Sequence, residues 1–320
     1  MNASSTPINA RHRSLRCGLR ALLWVAFMGL ATQASAAVVI DNLRNMDLGT
    51  WSPGGGNVAA SQEFCVQSDF FFGIFIIDWA ARLDDLSGAS TSGQFRIANG
   101  SGTDSLVVNV TLVDLRTGVP QTLAPGVQTP VNQTGDSARC PRGLNARIEV
   151  RIDAAELAAA RAGRFEGNFE FRATRSGSDS DTFRIRVDVP DLVRVSGLDD
   201  IALGQFPGAG DMVGTDSVCV YRNDPSSRYE IEAGGDGTGR AFELRQGAAV
   251  LPFEVDYDDG SGFAALEAGR TLGASGADTS SPVCGGLGTG SVRVRVREAD
   301  LMTADAGGYA GTLTLTVAPI

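Results

Sequence analysis

Apolar and polar residues alternate with a period of two along most of the chain. Near the C-terminal end Tyr309, Gly311, Leu313, Leu315 and Val317 alternate with Ala310, Thr312, Thr314 and Thr316. Val292, Val294 and Val296 alternate with Arg293, Arg295 and Arg297, and Phe253, Val255 and Tyr257 with Glu254, Asp256 and Asp258. Each run predicts a strand with one buried and one solvated face. The 40 glycines and frequent turn clusters suit short strands joined by tight connections. Helical periodicity is confined to Ala154–Ala162 and its counterpart Glu298–Ala306, which predict short crossings between sheets.

The alternation repeats on a larger scale. Aligned on Cys140 and Cys284, Ile148, Val150 and Ile152 fall on Val292, Val294 and Val296. Leu157 falls on Leu301, Phe165 on Tyr309, Gly167 on Gly311, and Phe169 and Phe171 on Leu313 and Leu315. Earlier, Trp51 matches Phe206, Cys65-Val66 matches Cys219-Val220, and Leu106–Val110 matches Leu251–Val255. About seven strands per copy predict an all-β chain of two tandem immunoglobulin-like β-sandwiches, residues 37–190 and 191–320.

The copies differ at their ends. The first turns through Thr174–Ser180 and adds Phe183, Ile185, Val187 and Val189 as an apolar face, which predicts a strand that closes it from within. The second stops after the equivalent of the preceding strand, so it is expected to lack its final strand. Its groove is expected to be lined by Val193, Val195, Leu313, Leu315 and Val317. An uncovered apolar edge is an aggregation hazard and a template for another chain's strand. Ala37 leads at once into Val38-Val39-Ile40, the equivalent of Val193-Arg194-Val195, so the chain is expected to accept a strand and to donate none.

Composition adds the compartment. Arg11, Arg13, Arg16 and Arg20, the apolar stretch Ala21–Ala31 and Ala34-Ser35-Ala36 read as a secretory leader over residues 1–36. The one histidine, His12, and Cys17 would leave with it. Cys65, Cys140, Cys219 and Cys284 remain; three pairings are possible, and the repeat favours Cys65–Cys140 with Cys219–Cys284. All 27 basic residues are arginine, and without the four in the leader the net charge of −10 becomes about −14. Such a balance argues against nucleic acid as a partner.

The sequence Leu-Gly-Thr-Trp at 48–51, Cys-Val, Leu-Pro-Phe-Glu-Val-Asp-Tyr at 251–257 and Gly-Gly-Tyr-Ala-Gly-Thr-Leu-Thr-Leu-Thr-Val at 307–317 resembles the spore coat protein U domain. Residues 191–320 match best. In the first copy Leu-Val-Val-Asn-Val-Thr-Leu departs from the Pro-aromatic pattern. The family includes subunits of archaic chaperone–usher pili. The resemblance implies a periplasmic chaperone that lends a strand, an outer-membrane usher, and polymerisation with neighbouring pilin subunits by donor-strand exchange. A two-domain member with a complete first domain resembles the tip adhesin, exported through the periplasm to the cell-surface fibre. The alternatives are a non-adhesive fibre or spore-coat-type subunit, and a free secreted binding module.

Two segments of the first copy are candidates for contact with an abiotic or host surface. Phe70, Phe71 and Phe72 stand where the second copy has the polar loop Asn223–Ser227. The long connection Thr117–Asp136 carries Val119, Pro120, Leu123 and Val127. Phe75, Ile77 and Trp79, by alignment of Phe75 with Tyr229, are expected in the core, as is Trp51. Without histidine, a Ser-His-Asp triad and histidine metal sites are excluded from the exported chain. Carboxylates are plentiful, but none falls in a catalytic motif. The acidic turns Asp256–Gly260 and Gly235-Asp236-Gly237 lack calcium-loop spacing. We therefore expect no enzyme, no cofactor and no metal.

Overall fold

A computed structural model describes residues 37–70 and 75–320, and their regular structure is almost entirely strand. The expected leader and Phe71 and Phe72 lie outside these residues. Among the described residues, ladders form within 37–189 or within 193–319, and none joins the two sets. The expectation of two tandem β-sandwiches holds.

In the first copy the strands are β1 (Ala37–Asp41), β2 (Met46–Thr50), β3 (Val58–Phe70), β4 (Phe75–Ile76), β5 (Ala80–Asp85), β6 (Phe95–Asn99), β7 (Ser105–Asp114), β8 (Pro120–Thr122) and β9 (Ala146–Ile152). The short helix α1 (Ala154–Ala159) follows, then β10 (Gly163–Thr174) and β11 (Ser178–Val189). The long strand β3 pairs with β9 through its first half and with β1 through its second. β9 continues to β7 and β7 to β6. β10 lies between β5 and β11. Buried and outward side chains alternate along β9, β10 and β11, as the sequence pattern requires. Phe64, Trp79, Phe165, Phe169 and Phe171 are fully buried. The Phe171 ring meets Phe64 at 5.1 Å and Trp79 at 6.0 Å edge to face, a geometry worth about 0.5–1.5 kcal/mol per pair beyond burial.

The second copy contains β12 (Val193–Ser196), β13 (Met212–Arg222), β14 (Tyr229–Gly235), β15 (Glu243–Gln246), β16 (Ala249–Pro252), β17 (Glu254–Asp258), β18 (Phe263–Leu266), β19 (Thr271–Ala274) and β20 (Gly290–Val296). Helix α2 (Glu298–Leu301) and β21 (Leu313–Pro319) complete it. The long β13 repeats the role of β3, pairing with β12 and β20. A second sheet runs β19-β14-β21.

Registers place the copies on each other residue by residue. Ala81 and Leu83 oppose Ala173 and Phe171, as Ile231 and Ala233 oppose Val317 and Leu315. Trp79, not Phe75, therefore holds the place of Tyr229, and both are fully buried. This corrects the expectation for Phe75, which is 59% exposed, and for Ile77, which is half-buried. The alignment slipped because β3 runs on past the core and folds back on β4, pairing Phe70 with Phe75. Both disulfides are present, Cys65–Cys140 and Cys219–Cys284, with Cα separations of 6.0 and 5.7 Å.

Candidate functional site

β11 fills the first sandwich. It pairs antiparallel with β10 from Gly163↔Val189 to Thr174↔Ser178, after a turn tighter than the expected Thr174–Ser180 connection. Phe183, Ile185, Val187 and Val189 are buried. On its other side β11 pairs parallel with Met46, Asp47 and Thr50, and the Trp51 N–H donates to the Asp188 carbonyl. Trp51 is buried, as expected.

Among the described residues nothing pairs with the outer edge of β21, which stands where β10 meets β11. The effect shows at each equivalent position. Phe169, Phe171 and Ala173 are fully buried, whereas Leu313, Leu315 and Val317 are half-buried. Val38 and Ile40 are buried; Val193 and Val195 are half-buried. Met46 is buried and belongs to a strand. Its counterpart Ile201 is half-buried in a segment without regular structure, because β2 is a strand only through its ladder to β11. Gly163–Asn168 are strand, yet of 307–312 only Ala310 keeps a bridge, to Arg245. The five residues expected from sequence to line a groove are each half-buried and pack against the core of the second copy. The structure adds Ile201, Leu203 and Tyr309, which pack half-buried against the same core. It also adds Gly311, where a Cβ would lie 2.5 Å from the Glu243 carbonyl, so only glycine lets the backbones approach there.

The two copies meet end to end. The buried Asn223 donates from Nδ2 to the Ala160 and Pro190 carbonyls at 3.3 and 3.0 Å. Its Oδ1 accepts the Leu192 N–H at 2.7 Å, and its carbonyl accepts the Ala162 N–H at 3.0 Å. The end of copy two that carries Arg222 and Asn223 therefore seats copy one. In copy one the equivalent end carries Ser68 and Asp69. The match is set by Ser68 N–H donating to the Asp136 carbonyl as Arg222 N–H does to Asp278. That end points away from the joint.

Strand directions bring the β3–β4 pair and the turn between β7 and β8 to this free end. The β3–β4 hairpin exposes Phe75 and Ile76, with Phe70 half-buried at its base. Val119, Pro120 and Val127 are exposed, and so is Val131. Leu123 does not join them: it is 4% exposed and belongs to the core, its N–H bonded to the Val110 carbonyl. The whole connection is more ordered than its length suggested. β8 pairs with β7, and the Gly126, Thr129 and Gln133 N–H groups donate to the Leu83, Ala81 and Trp79 carbonyls.

A buried polar network braces this end. The Asn145 side chain accepts the Val66 N–H and donates to the Val66 and Thr134 carbonyls, at 2.8 to 2.9 Å. Asp136 bonds Arg116 at 2.7 Å and Arg142 at 3.2 Å, and Asp114 accepts the Thr134 hydroxyl and N–H. Burial pushes both carboxyls up, but these hydrogen bonds outweigh it. Those from Thr134, Arg116 and Thr117 hold Asp114 below the ordinary carboxylate range, and those from Ser137, Arg142 and Arg116 hold Asp136 there. Sequence reasoning missed this network, since isolated Asp and Asn residues in turns carry no pattern.

No family model matches the chain, and no curated protein matches it. Solved structures do resemble it. One is the CsuC–CsuE chaperone–tip adhesion subunit pre-assembly complex from archaic chaperone–usher Csu pili of Acinetobacter baumannii. It is 10% identical with a TM-score of 0.45, over 88% of this chain and 100% of that one. Another is CfaE, the adhesive subunit of CFA/I fimbria of enterotoxigenic Escherichia coli, 14% identical with a TM-score of 0.37, over 87% and 93%. A third is the CupB6 tip adhesin from Pseudomonas aeruginosa, 9% identical with a TM-score of 0.32, over 89% and 93%.

Proposed function

We propose that this chain is the tip subunit of a chaperone–usher surface fibre, with residues 37–190 as its adhesive domain and 191–320 as a pilin-type domain. The observation that carries the reading is the contrast between β11, which closes the first sandwich, and the unpaired edge of β21 at the same place in the second. The missing element has a template in the chain itself. A strand laid on copy two as β11 lies on copy one runs antiparallel to β21 and parallel to 201–206. Its apolar residues, at the places of Phe183, Ile185, Val187 and Val189, face Leu313, Gly311, Tyr309 and Gly307. Backbone bonds supply affinity and the alternating side chains supply register. The donor would be a periplasmic chaperone first and the neighbouring subunit afterwards, with an outer-membrane usher between the two states.

The chain cannot fill its own cleft with β11. Pro190-Asp191-Leu192 is a three-residue link to β12, and the template strand must run in the same direction as β12, which so short a link forbids. The adhesive surface is the free end of copy one, where Phe75, Ile76, Val119 and Val127 are exposed above the braced network.

The test is thermal unfolding of the exported chain with a peptide copying 178–190, against the same peptide with aspartate in place of Ile185. The native peptide raises the lower of two transitions and the variant does not. If neither peptide shifts either transition, the groove does not accept a strand and the fibre assignment falls.

A further inference from the structure

The cleft and the interdomain joint share a residue. Arg222 ends β13 with its side chain only 3% exposed. Its guanidinium faces three ways. Nε and Nη2 form a bidentate pair with Asp191 of the link at 3.1 and 2.6 Å. Nη1 donates to the Ser226 hydroxyl and the Arg228 carbonyl. Nη2 also donates to the Ile320 carbonyl at 2.8 Å, one residue beyond β21. The next residue is Asn223, whose bonds hold Ala160, Ala162, Pro190 and Leu192. One corner thus ties the end of the cleft strand, the link and the base of copy one together. In copy one the same corner is only filled: Ser68 replaces Arg222, and its buried hydroxyl has no partner among the described residues.

We infer that Arg222 couples filling of the groove to the rigidity of the joint, so that a strand lying along β21 holds copy one more firmly in its setting. The inference rests on the strand-accepting reading above. Among the described residues, β14 is the one strand that pairs with β21. A strand on its outer edge fixes its position, hence that of the Ile320 carbonyl, hence the guanidinium plane and Asp191. A bidentate guanidinium–carboxylate pair has little angular freedom, so the displacement is passed on rather than absorbed. The coupling is reciprocal: immobilising copy one relative to copy two tightens the groove by the same factor.

Hydrogen exchange reads the joint at the Ala162 amide, which donates across it to the Asn223 carbonyl, and at the Leu192 and Asn223 amides, which tie the link to copy two. In the exported chain, saturating 178–190 peptide should slow exchange there about tenfold, equivalent to ~1.4 kcal/mol. In Arg222→Gln the peptide should still protect the β21 amides while the joint amides stay unchanged. Asp191→Asn cuts the link while leaving the bond to Ile320, and should give the same split if Arg222→Gln does not fold. Peptide binding with no change at the joint in the unmodified chain overturns the coupling and leaves the strand-accepting reading intact. Equal slowing in the unmodified chain and in Asp191→Asn also overturns it, as general stabilisation. Absence of peptide binding by thermal shift overturns both.

Discussion

Truncating Leu313 to alanine should be mild in the empty protein and severe in the strand-bound one. In the empty groove Leu313 is half-buried, so its loss costs roughly half of full burial, ~1 kcal/mol. Its counterpart Phe169 shows what the filled site offers: it is fully buried, with its ring 5.8 Å from Phe95 and 5.9 Å from Phe183 of the closing strand. Removing a leucine from such surroundings costs ~2–5 kcal/mol. The difference, ~1–4 kcal/mol, must appear as weakened strand binding, a loss of about 5- to 700-fold in affinity. Titration calorimetry with the 178–190 peptide measures it, and urea unfolding of the empty chain gives the smaller term. Val213→Ala, half exposed on β13, is the control and should change neither. If Leu313→Ala destabilises the empty chain by several kcal/mol and leaves peptide affinity unchanged, the strand does not lie where β11 predicts.

Three further outcomes can be checked. Phe75→Ser with Ile76→Ser should abolish retention on an apolar surface while moving the first transition by less than about 0.5 kcal/mol, both side chains being exposed; unchanged retention in a quartz-crystal microbalance would remove the adhesive role from this hairpin. Asp114 and Asp136 titrate low in the fold, so the stabilisation they give is present above their unfolded value of about 3.9 and is lost as pH falls through the folded value. Fluorescence of Trp79, whose indole N–H donates to the Thr134 carbonyl, should therefore hold to about pH 4 in a Trp51→Phe background; a transition near pH 6 would contradict the network. Reducing the disulfides removes a loop constraint worth ~4 kcal/mol in each copy. The second copy, with its half-buried fringe, should unfold first by limited proteolysis, and earlier loss of the first would refute that ranking.

Much of this was legible in the chain because strands write their burial into every second residue. The match of Leu106–Val110 with Leu251–Val255, the pairing of equivalent cysteines and the extra strand at Phe183–Val189 all follow from that period and appear in the ladders. Phe75 was misplaced because alternation has no phase marker across an insertion. Phe70 to Trp79 is apolar at nearly every position, so a slip of four residues keeps the pattern while moving Phe75 from hairpin to core. Leu123 failed for the opposite reason: it sits among prolines and glycines, where no period exists, and only the bonds to β7 and β5 reveal a buried segment. The joint was invisible, since Arg222 and Asn223 look like an ordinary polar strand end until Ala160, Ala162, Pro190, Asp191, Leu192 and Ile320 are drawn in from distant parts of the chain.

The direction of β11 along β10 also decides how the assembly would bear a pull. A strand placed on β21 in that direction begins beside the joint and leaves at the far end of copy two. Copy one and the body of a donating subunit then stand at opposite ends, and tension between them runs along the strands. Ladder bonds lie across the strands, so such a force shears the whole row at once instead of peeling it bond by bond. The lateral edge of β21, unpaired among the described residues, would become, once occupied, the element most resistant to mechanical extraction.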